Sequence, residues 1–196
     1  MSELYTIGYS SFSVEDFIVV LKKYSIDMLI DVRSVPYSAH FTDFNKKNIS
    51  RVLHENNIFY RHYDKEFGGR QFNAEFFTDG ILDFEKFAAS EQFLCGVKKI
   101  ETAINRGYKI ALMCAEKRPE ICHRCILVAR KFYELGYDVK HILDAGNCIN
   151  QGDVEEMLLK KYFPDYIQPV LFEMPKIEDL IRQSYAKRNL EIGYKC

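Results

Sequence analysis

The stretch Tyr108-Lys109-Ile110-Ala111-Leu112-Met113-Cys114-Ala115, running on into Glu116-Lys117-Arg118-Pro119-Glu120-Ile121-Cys122-His123-Arg124, decides the fold. Its first half is a short, nearly continuous apolar run, the pattern of a strand buried on both faces of a parallel sheet. A charged turn follows. Pro119 then opens a helical pattern that runs to Leu135 and stops at Gly136, with proline at its start and glycine past its end. Upstream, helical periodicity from about Asp83 to Arg106 is closed by Gly107. Downstream, Val139 to Asp144 is the next strand, so strand and helix alternate as parallel strands with helical crossovers require.

The N-terminal half repeats the alternation. Leu4 to Ser10 is a strand ending at Gly8-Tyr9-Ser10, and Ser13 and Asp16 form a capping box for a helix carrying Val14, Phe17, Ile18 and Leu21 on one face. Met28 to Arg33 is the second strand, stopped by Val35-Pro36 because proline has no ladder donor. Asn45 caps a helix with Ile49, Val52 and Leu53 inward, and Phe59 to Tyr63 is a third, shorter strand. From Asp64 to Asp79, around Gly68-Gly69-Arg70, periodicity fades into a long loop of the kind that is often functional. Beyond Gly146 come a helix from Val154 to Phe163, a proline-punctuated segment, and a last helix marked by Ile177, Leu180 and Ile181. The expected fold is therefore α/β: a mostly parallel central sheet of about five strands in a three-layer α/β/α arrangement. Residues 1–150 form this domain, and 151–196 a helical C-terminal extension packed on it.

Bulk properties narrow the function classes. At 196 residues, 47% of them hydrophobic and 28% charged, the chain supports one core. The 27 Lys and Arg against 28 Asp and Glu leave a net charge of -1, so no global field recruits nucleic acid or anionic membrane. A nucleic-acid ligand would need a local basic patch. With no basic region ahead of an apolar stretch and no run of membrane-spanning length, a cytoplasmic protein without membrane partners is expected. Its six cysteines are expected as free thiols.

In parallel α/β sheets ligands collect beyond the carboxyl ends of the strands, and the informative residues fall there. They are Tyr9-Ser10, Asp31 and Arg33, His62, Cys114 to Glu116, and Asp144, with Gly68-Gly69-Arg70 able to close over them. A cysteine leaving a buried strand beside a basic turn and a helix start is in an environment that lowers thiol pKa. Arg33, Arg70, Arg118 and Arg124 offer forks for phosphate or carboxylate, and His123 can shuttle protons. Plainer explanations compete. Cys114 can be a small buried hydrophobe, Cys122 and Cys125 core packing three apart on a helix, His123 a capping residue, Gly68-Gly69 a simple turn. Asp31 and Glu116 can pair structurally with Arg33 and Arg118. No metal site is assigned, because Cys122-x-x-Cys125 lacks a second pair and neighbours such as Cys122 and His123 diverge by about a quarter turn on a helix. A rhodanese-like or phosphatase-like loop shares only its general logic with Cys114 and Arg118, since Glu116 stands where such loops favour neutral or basic residues.

Thr6-Ile7-Gly8-Tyr9-Ser10, Asp31-Val32-Arg33-Ser34-Val35-Pro36-Tyr37-Ser38, Phe44-Asn45-Lys46, Gly68-Gly69-Arg70, Cys114-Ala115-Glu116 and Cys122-His123-Arg124 occur in that order. In this combination the chain resembles domain-of-unknown-function family 488 over about Leu4 to Asp144. The resemblance implies a bacterial or archaeal α/β domain with no agreed activity. The family pattern falls on Gly8, Ser10, Asp31, Arg33, Ser38, Gly69, Arg70, Cys114, Glu116, Cys122, His123 and Arg124. Tyr9 departs from it, standing where the family often has histidine, and Cys125 lies outside it.

The leading expectation is an enzyme acting on a small anionic substrate, such as a nucleotide or nucleic-acid component. Cys114 would be nucleophile or redox thiol, with Glu116 and His123 handling protons. Gly8, Tyr9, Ser10, Asp31, Arg33, Ser38, Gly69, Arg70, Cys122 and Arg124 are its expected binding residues, and no cofactor is named. A rival is a non-catalytic nucleotide or single-stranded nucleic-acid module that stacks bases on Tyr9, Tyr37 and Phe72. A third is a structural Cys/His network with the functional surface elsewhere.

Overall fold

The computed structural model describes residues 2–144, 146–166 and 176–196. In chain order its elements are β1 (Glu3–Gly8), α1 (Val14–Lys23), β2 (Met28–Asp31), α2 (Lys46–Glu55), β3 (Phe59–His62), α3 (Asp64–Phe67), β4 (Phe77–Thr78) and β5 (Ile81–Leu82). There follow α4 (Phe84–Ala88), α5 (Glu91–Asn105), β6 (Ile110–Cys114), α6 (Arg130–Glu134), β7 (Asp138–Ile142), β8 (Cys148–Asn150), α7 (Gln151–Tyr162) and α8 (Ile177–Ile192). The main sheet has the order β3-β2-β6-β1-β7-β8, and only β8 runs antiparallel to its neighbour.

The apolar run that opened the sequence reading is the sheet's centre. On β6, Ile110, Leu112 and Cys114 face one core, Ala111 and Met113 the other, and all five are buried. The first core receives α4, α5, α6, α7 and α8; the second receives α1 and α2. The fold is thus the expected three-layer α/β/α. Since α1 leaves β1 on one face and the connection after β6 leaves on the other, these neighbouring strands open a crevice at their carboxyl ends, where such sheets bind ligands. Register sharpens it: Gly8 lies beside Cys114, and Asp31 lies between Met113 and His62.

The sheet has six strands rather than about five. The additional strand, β8, is three residues at an edge, too short for periodicity to register. The expected loop from Asp64 to Asp79 holds α3 and half of the β4–β5 hairpin. It is ordered by its own phenylalanines. Phe67 meets Phe93 edge-on at 5.0 Å, Phe93 meets Phe87 at 5.4 Å and Phe87 meets Phe76 at 5.1 Å, each pair adding roughly 0.5–1.5 kcal/mol beyond area burial. The helix expected from Asp83 to Arg106 is two, because Ser90 interrupts it and caps α5, its Oγ accepting from the Phe93 N–H. The helix expected from Pro119 to Leu135 is also broken: a 3-10 turn at Pro119–Ile121, an extended Cys122, a π-helical stretch Arg124–Ala129, then α6. Pro169 and Pro175, which punctuate the sequence before α8, lie outside the described residues. Among the described residues no helix is long and apolar enough to cross a membrane.

A buried polar chain joins the sheet to the C-terminal helices. His141 of β7, wholly buried, meets Thr6 Oγ1 through Nδ1 at 2.8 Å and Gln151 Oε1 through Nε2 at 2.8 Å. Gln151 Nε2 donates to Tyr185 Oη at 2.7 Å, and Tyr185 donates to Glu155 Oε1 at 3.1 Å. An amide oxygen only accepts, so Nε2 carries a proton; Thr6 Oγ1, which accepts from Arg124 Nε, donates to Nδ1, and His141 is neutral. Burial, aided by the Arg124 charge, lowers its pKa to about 3. The unfolded chain binds that proton near pH 6.5. Acid therefore favours unfolding: this stability is full above about pH 6.5 and is lost towards about pH 3, by at most about 1.4 kcal/mol per pH unit. Urea denaturation between about pH 7 and about pH 4 should show a smaller acid loss in His141→Asn than in the unmodified protein. Identical pH slopes would contradict the assignment.

Candidate functional site

At the crevice, the chain leaving β1 and the chain leaving β6 are locked together. Ser10 N–H donates to Ala115 O at 3.1 Å, and a Cβ on Gly8 would stand 1.9 Å from the Glu116 carbonyl oxygen. Gly8 therefore makes room for the Glu116 backbone. Arg124, with no exposed surface, sits beneath this junction. Its guanidinium donates to the Thr6 hydroxyl at 3.3 Å, to the Glu116 carbonyl and to the Lys117 carbonyl at 3.3 Å. Arg124 thus clamps the turn after β6.

Arg33 is likewise engaged by the protein. Its Nε and Nη2 grip both oxygens of buried Asp31 at 2.9 and 2.6 Å, Nη1 donates to Tyr9 Oη at 3.1 Å, and Nη2 also donates to Phe44 O at 2.8 Å. The Asp31–Arg33 pair expected from sequence is present, and it consumes most of the fork. Tyr60 completes it, donating to Asp31 at 2.7 Å. Tyr9 is stacked on Phe44 at 4.4 Å with the Arg33 guanidinium 4.9 Å from its ring centre, so it is not a free platform for a base. Glu116 does not pair with Arg118, which instead binds Glu120. His62 bonds Arg33 O at 2.8 Å, and Asp144 holds Lys117 at 2.5 Å.

What remains open is a pocket of ≈ 580 Å³ with Cys114, Glu116 and His123 in its lining. Tyr9 and Arg33 reach it from the strand ends, Tyr37 and Ser38 from the loop after β2, and Gly69 and Arg70 from the loop after α3. The Gly68-Gly69-Arg70 segment does close over the region as its sequence predicts. Arg70 N–H donates to Ser34 Oγ at 2.7 Å, and a Cβ on Gly69 would stand 2.9 Å from the His123 ring. Ser38 shapes the preceding loop, its N–H donating to Asn45 Oδ1 at 2.6 Å and its Oγ accepting from Phe41 N–H at 3.1 Å. Asn45 therefore begins α2 without capping it with its side chain.

Cys114, Glu116, Cys122 and His123 converge: their potential ligand atoms all lie within 4.8 Å of one another. Because Cys122 is extended (φ −122°, ψ 135°) and not helical, it and His123 point into one space, and the quarter-turn divergence expected from sequence does not arise. Cys122 Sγ donates to Glu116 Oε2 at 2.9 Å, and Cys114 Sγ lies 3.8 Å from His123 Nδ1. Cys125 faces away and packs against His141 and Gln151, the core role its spacing predicts. Burial pushes the Glu116 carboxyl up, but the His123 charge and donation from Cys114 and Cys122 hold it at about 2. Burial raises Cys122 too, yet the Cys114 hydrogen bond and the Arg124 charge bring it to about 6. Cys114 moves upward, through burial and then through Cys122. Burial lowers His123, but Cys122 and Glu116 outweigh it and raise the imidazole.

The family model described as "Domain of unknown function DUF488" matches residues 13–130, more than half of the chain. The chain belongs to this family. No curated protein and no solved structure matches it. The DUF488 match contains the four converging groups, Arg33, Arg70 and Arg124, and it excludes two parts of the same pocket. Tyr9 precedes the match, and Ile192 and Tyr194 follow it by more than sixty residues. Sequence reasoning missed Ile192 and Tyr194. Tyr194 carries the Arg70 guanidinium 5.8 Å from its ring centre and meets Phe72 edge-on at 6.4 Å. Nothing in a C-terminal helical pattern signals that its end returns to the sheet edge.

The Gly8 contact generates a stability test. A methyl group there meets backbone, which cannot swing aside, so Gly8→Ala should lower stability by roughly 1–3 kcal/mol. Gly152→Ala, inside α7 with only Tyr133 Oη at 3.8 Å, should instead raise it by about 0.4–1 kcal/mol. Urea denaturation of both variants reads the contrast, and a Gly8→Ala protein as stable as the parent would contradict the packing described.

Proposed function

We propose that this protein is an enzyme acting on a small anionic substrate in the pocket at the carboxyl ends of β1, β2 and β6. The observation that supports it is the convergence of two sulfurs, a carboxylate and an imidazole in that pocket, with three of the four groups in its lining. Groups able to donate, accept and attack within one such space are what proton transfer and covalent chemistry need. The volume lies in the range of small-molecule sites.

Arg70 is the anion-binding group of this reading. Among the described residues its guanidinium lies over Tyr194 and joins no ion pair, whereas Arg33 and Arg124 are committed to the protein. Tyr37, largely exposed on the rim, and Tyr194 offer flat faces for a ring such as a nucleobase. Glu116 and His123 exchange protons with the sulfurs. Cys114 is the sulfur nearer the substrate, because it and not Cys122 borders the pocket.

The test is incubation with a mixture of phosphorylated and carboxylated metabolites, followed by mass spectrometry of what is retained and what is consumed. The parent protein should retain and convert one of them. Arg70→Ala should weaken retention roughly tenfold or more, the range for a charge-assisted hydrogen bond, while Arg118→Ala, outside the pocket, should leave it unchanged. Cys114→Ala should reduce conversion by on the order of 100-fold or more. Equal retention by Arg70→Ala and the parent, or a retained ligand that is never converted, would contradict the proposal.

A further inference from the structure

We propose that Cys114, Cys122, His123 and Glu116 bind a single zinc-type divalent cation at the floor of the pocket. The inference rests on the same cluster being the reacting centre, and it assigns that centre an ion.

The donor set comes first. Two thiolates, an imidazole nitrogen and a carboxylate form a soft to borderline set of the kind that selects zinc over magnesium or calcium. A tetrahedral ion with bonds of about 2.0–2.3 Å places its ligand atoms about 3.3–3.8 Å apart. Here Cys114 Sγ and His123 Nδ1 are 3.8 Å apart, Cys122 Sγ and Glu116 Oε2 are 2.9 Å apart, and no pair exceeds 4.8 Å. Shifts of less than about 1 Å bring all four onto one centre.

The surroundings of the donors are the independent observation. His123 Nε2 lies 2.9 Å from the Val32 carbonyl, an acceptor, so that nitrogen carries the proton and Nδ1 is left to face the sulfurs. A ligating histidine almost always donates its second ring N–H in this way. The backbone at Gly69 lies against the imidazole and prevents it from turning aside. Arg124 and Gly8 fix the turn that carries Glu116, and the extended backbone at Cys122 aims that side chain at Cys114. Each donor is thus held by structure outside the cluster.

Binding releases the thiol protons to solvent and makes both sulfurs ligands, so in the loaded protein the ion takes over from the free thiolate and the proton exchange of the metal-free cluster. Glu116 takes the fourth position. As the one oxygen donor of the set, on the pocket lining, it is the ligand that an oxygen of the anionic substrate would replace, and the ion would polarise that oxygen as a Lewis acid.

Cobalt(II) added to the full-length, reduced and chelator-stripped protein tests the site. One equivalent should bind, giving thiolate-to-metal charge-transfer absorption and the intense visible bands of a tetrahedral ion, all removed by one equivalent of zinc. Cys122→Ser and His123→Ala should weaken binding by more than the roughly 10–100-fold that loss of an outer-shell partner costs, and Cys125→Ala should keep the parent spectrum. A parent protein that binds no cobalt, or binds it without thiolate bands, overturns the inference, as does a parent-like spectrum from Cys122→Ser. Should a ligand variant fail to fold, the parent spectrum alone decides. The readout is bound metal, not turnover. A negative result removes the ion and leaves the Arg70 pocket standing, and failure of the Arg70 test leaves the ion.

Discussion

A buried guanidinium governs the site. Arg124 has no exposed surface, yet it carries a full charge into the space between β1 and the turn that follows β6. Its partners are a hydroxyl and two backbone carbonyls rather than a carboxylate, so the clamp neutralises no acid and leaves Glu116 its charge. Each buried acceptor left unpaired by loss of the guanidinium costs on the order of 1–3 kcal/mol, because it is then neither paired nor hydrated. The same contact positions chemistry: it fixes the turn between Cys114 and Cys122, and so the distance between the two sulfurs and the carboxylate.

Around that clamp the strand ends behave as a layered support. The Asp31–Arg33–Tyr9–Tyr60 network is saturated with internal bonds and forms a rigid wall. Gly8 and Gly69 bring backbone to within contact of Glu116 and His123, where any side chain would push them out of place. The cluster of thiols, imidazole and carboxylate is what this packing leaves beside an opening, with Cys114, Glu116 and His123 in the pocket lining. The other buried polar chain, from Thr6 through His141 and Gln151 to Glu155, runs inside the core instead.

Much of this was legible in the sequence. The apolar run at Ile110–Cys114, the capped helix after Ser13 and the stop at Pro36 carry strong local signals, and the three-layer fold follows from their alternation. Cys114, Glu116, His123 and Arg70 were placed at the right edge of the sheet because parallel strands all deliver their carboxyl ends there. Residue type alone does not say which arginines are free: Arg33, Arg70 and Arg124 look alike in sequence, and only the tertiary structure separates wall, rim and clamp. Cys122 departs from its expected place for a local reason. Helical spacing in the sequence runs back through it, whereas Pro119 starts a 3-10 turn whose end releases Cys122 into an extended conformation. Tyr194 depends on a long-range return of the chain that no periodicity records.

The central claim is spatial: Cys114 and Cys122, eight residues apart and on either side of a charged turn, bring their sulfurs together at the floor of a pocket that Cys114 borders. A trivalent arsenical such as phenylarsine oxide bridges only thiols that are already close together, and peptide mapping of the adduct by mass spectrometry identifies the pair. One arsenic joining the Cys114 and Cys122 peptides in the folded, reduced protein is the predicted result. Labelling confined to the exposed Cys95 and Cys196, with Cys114 and Cys122 unbridged, would contradict the account.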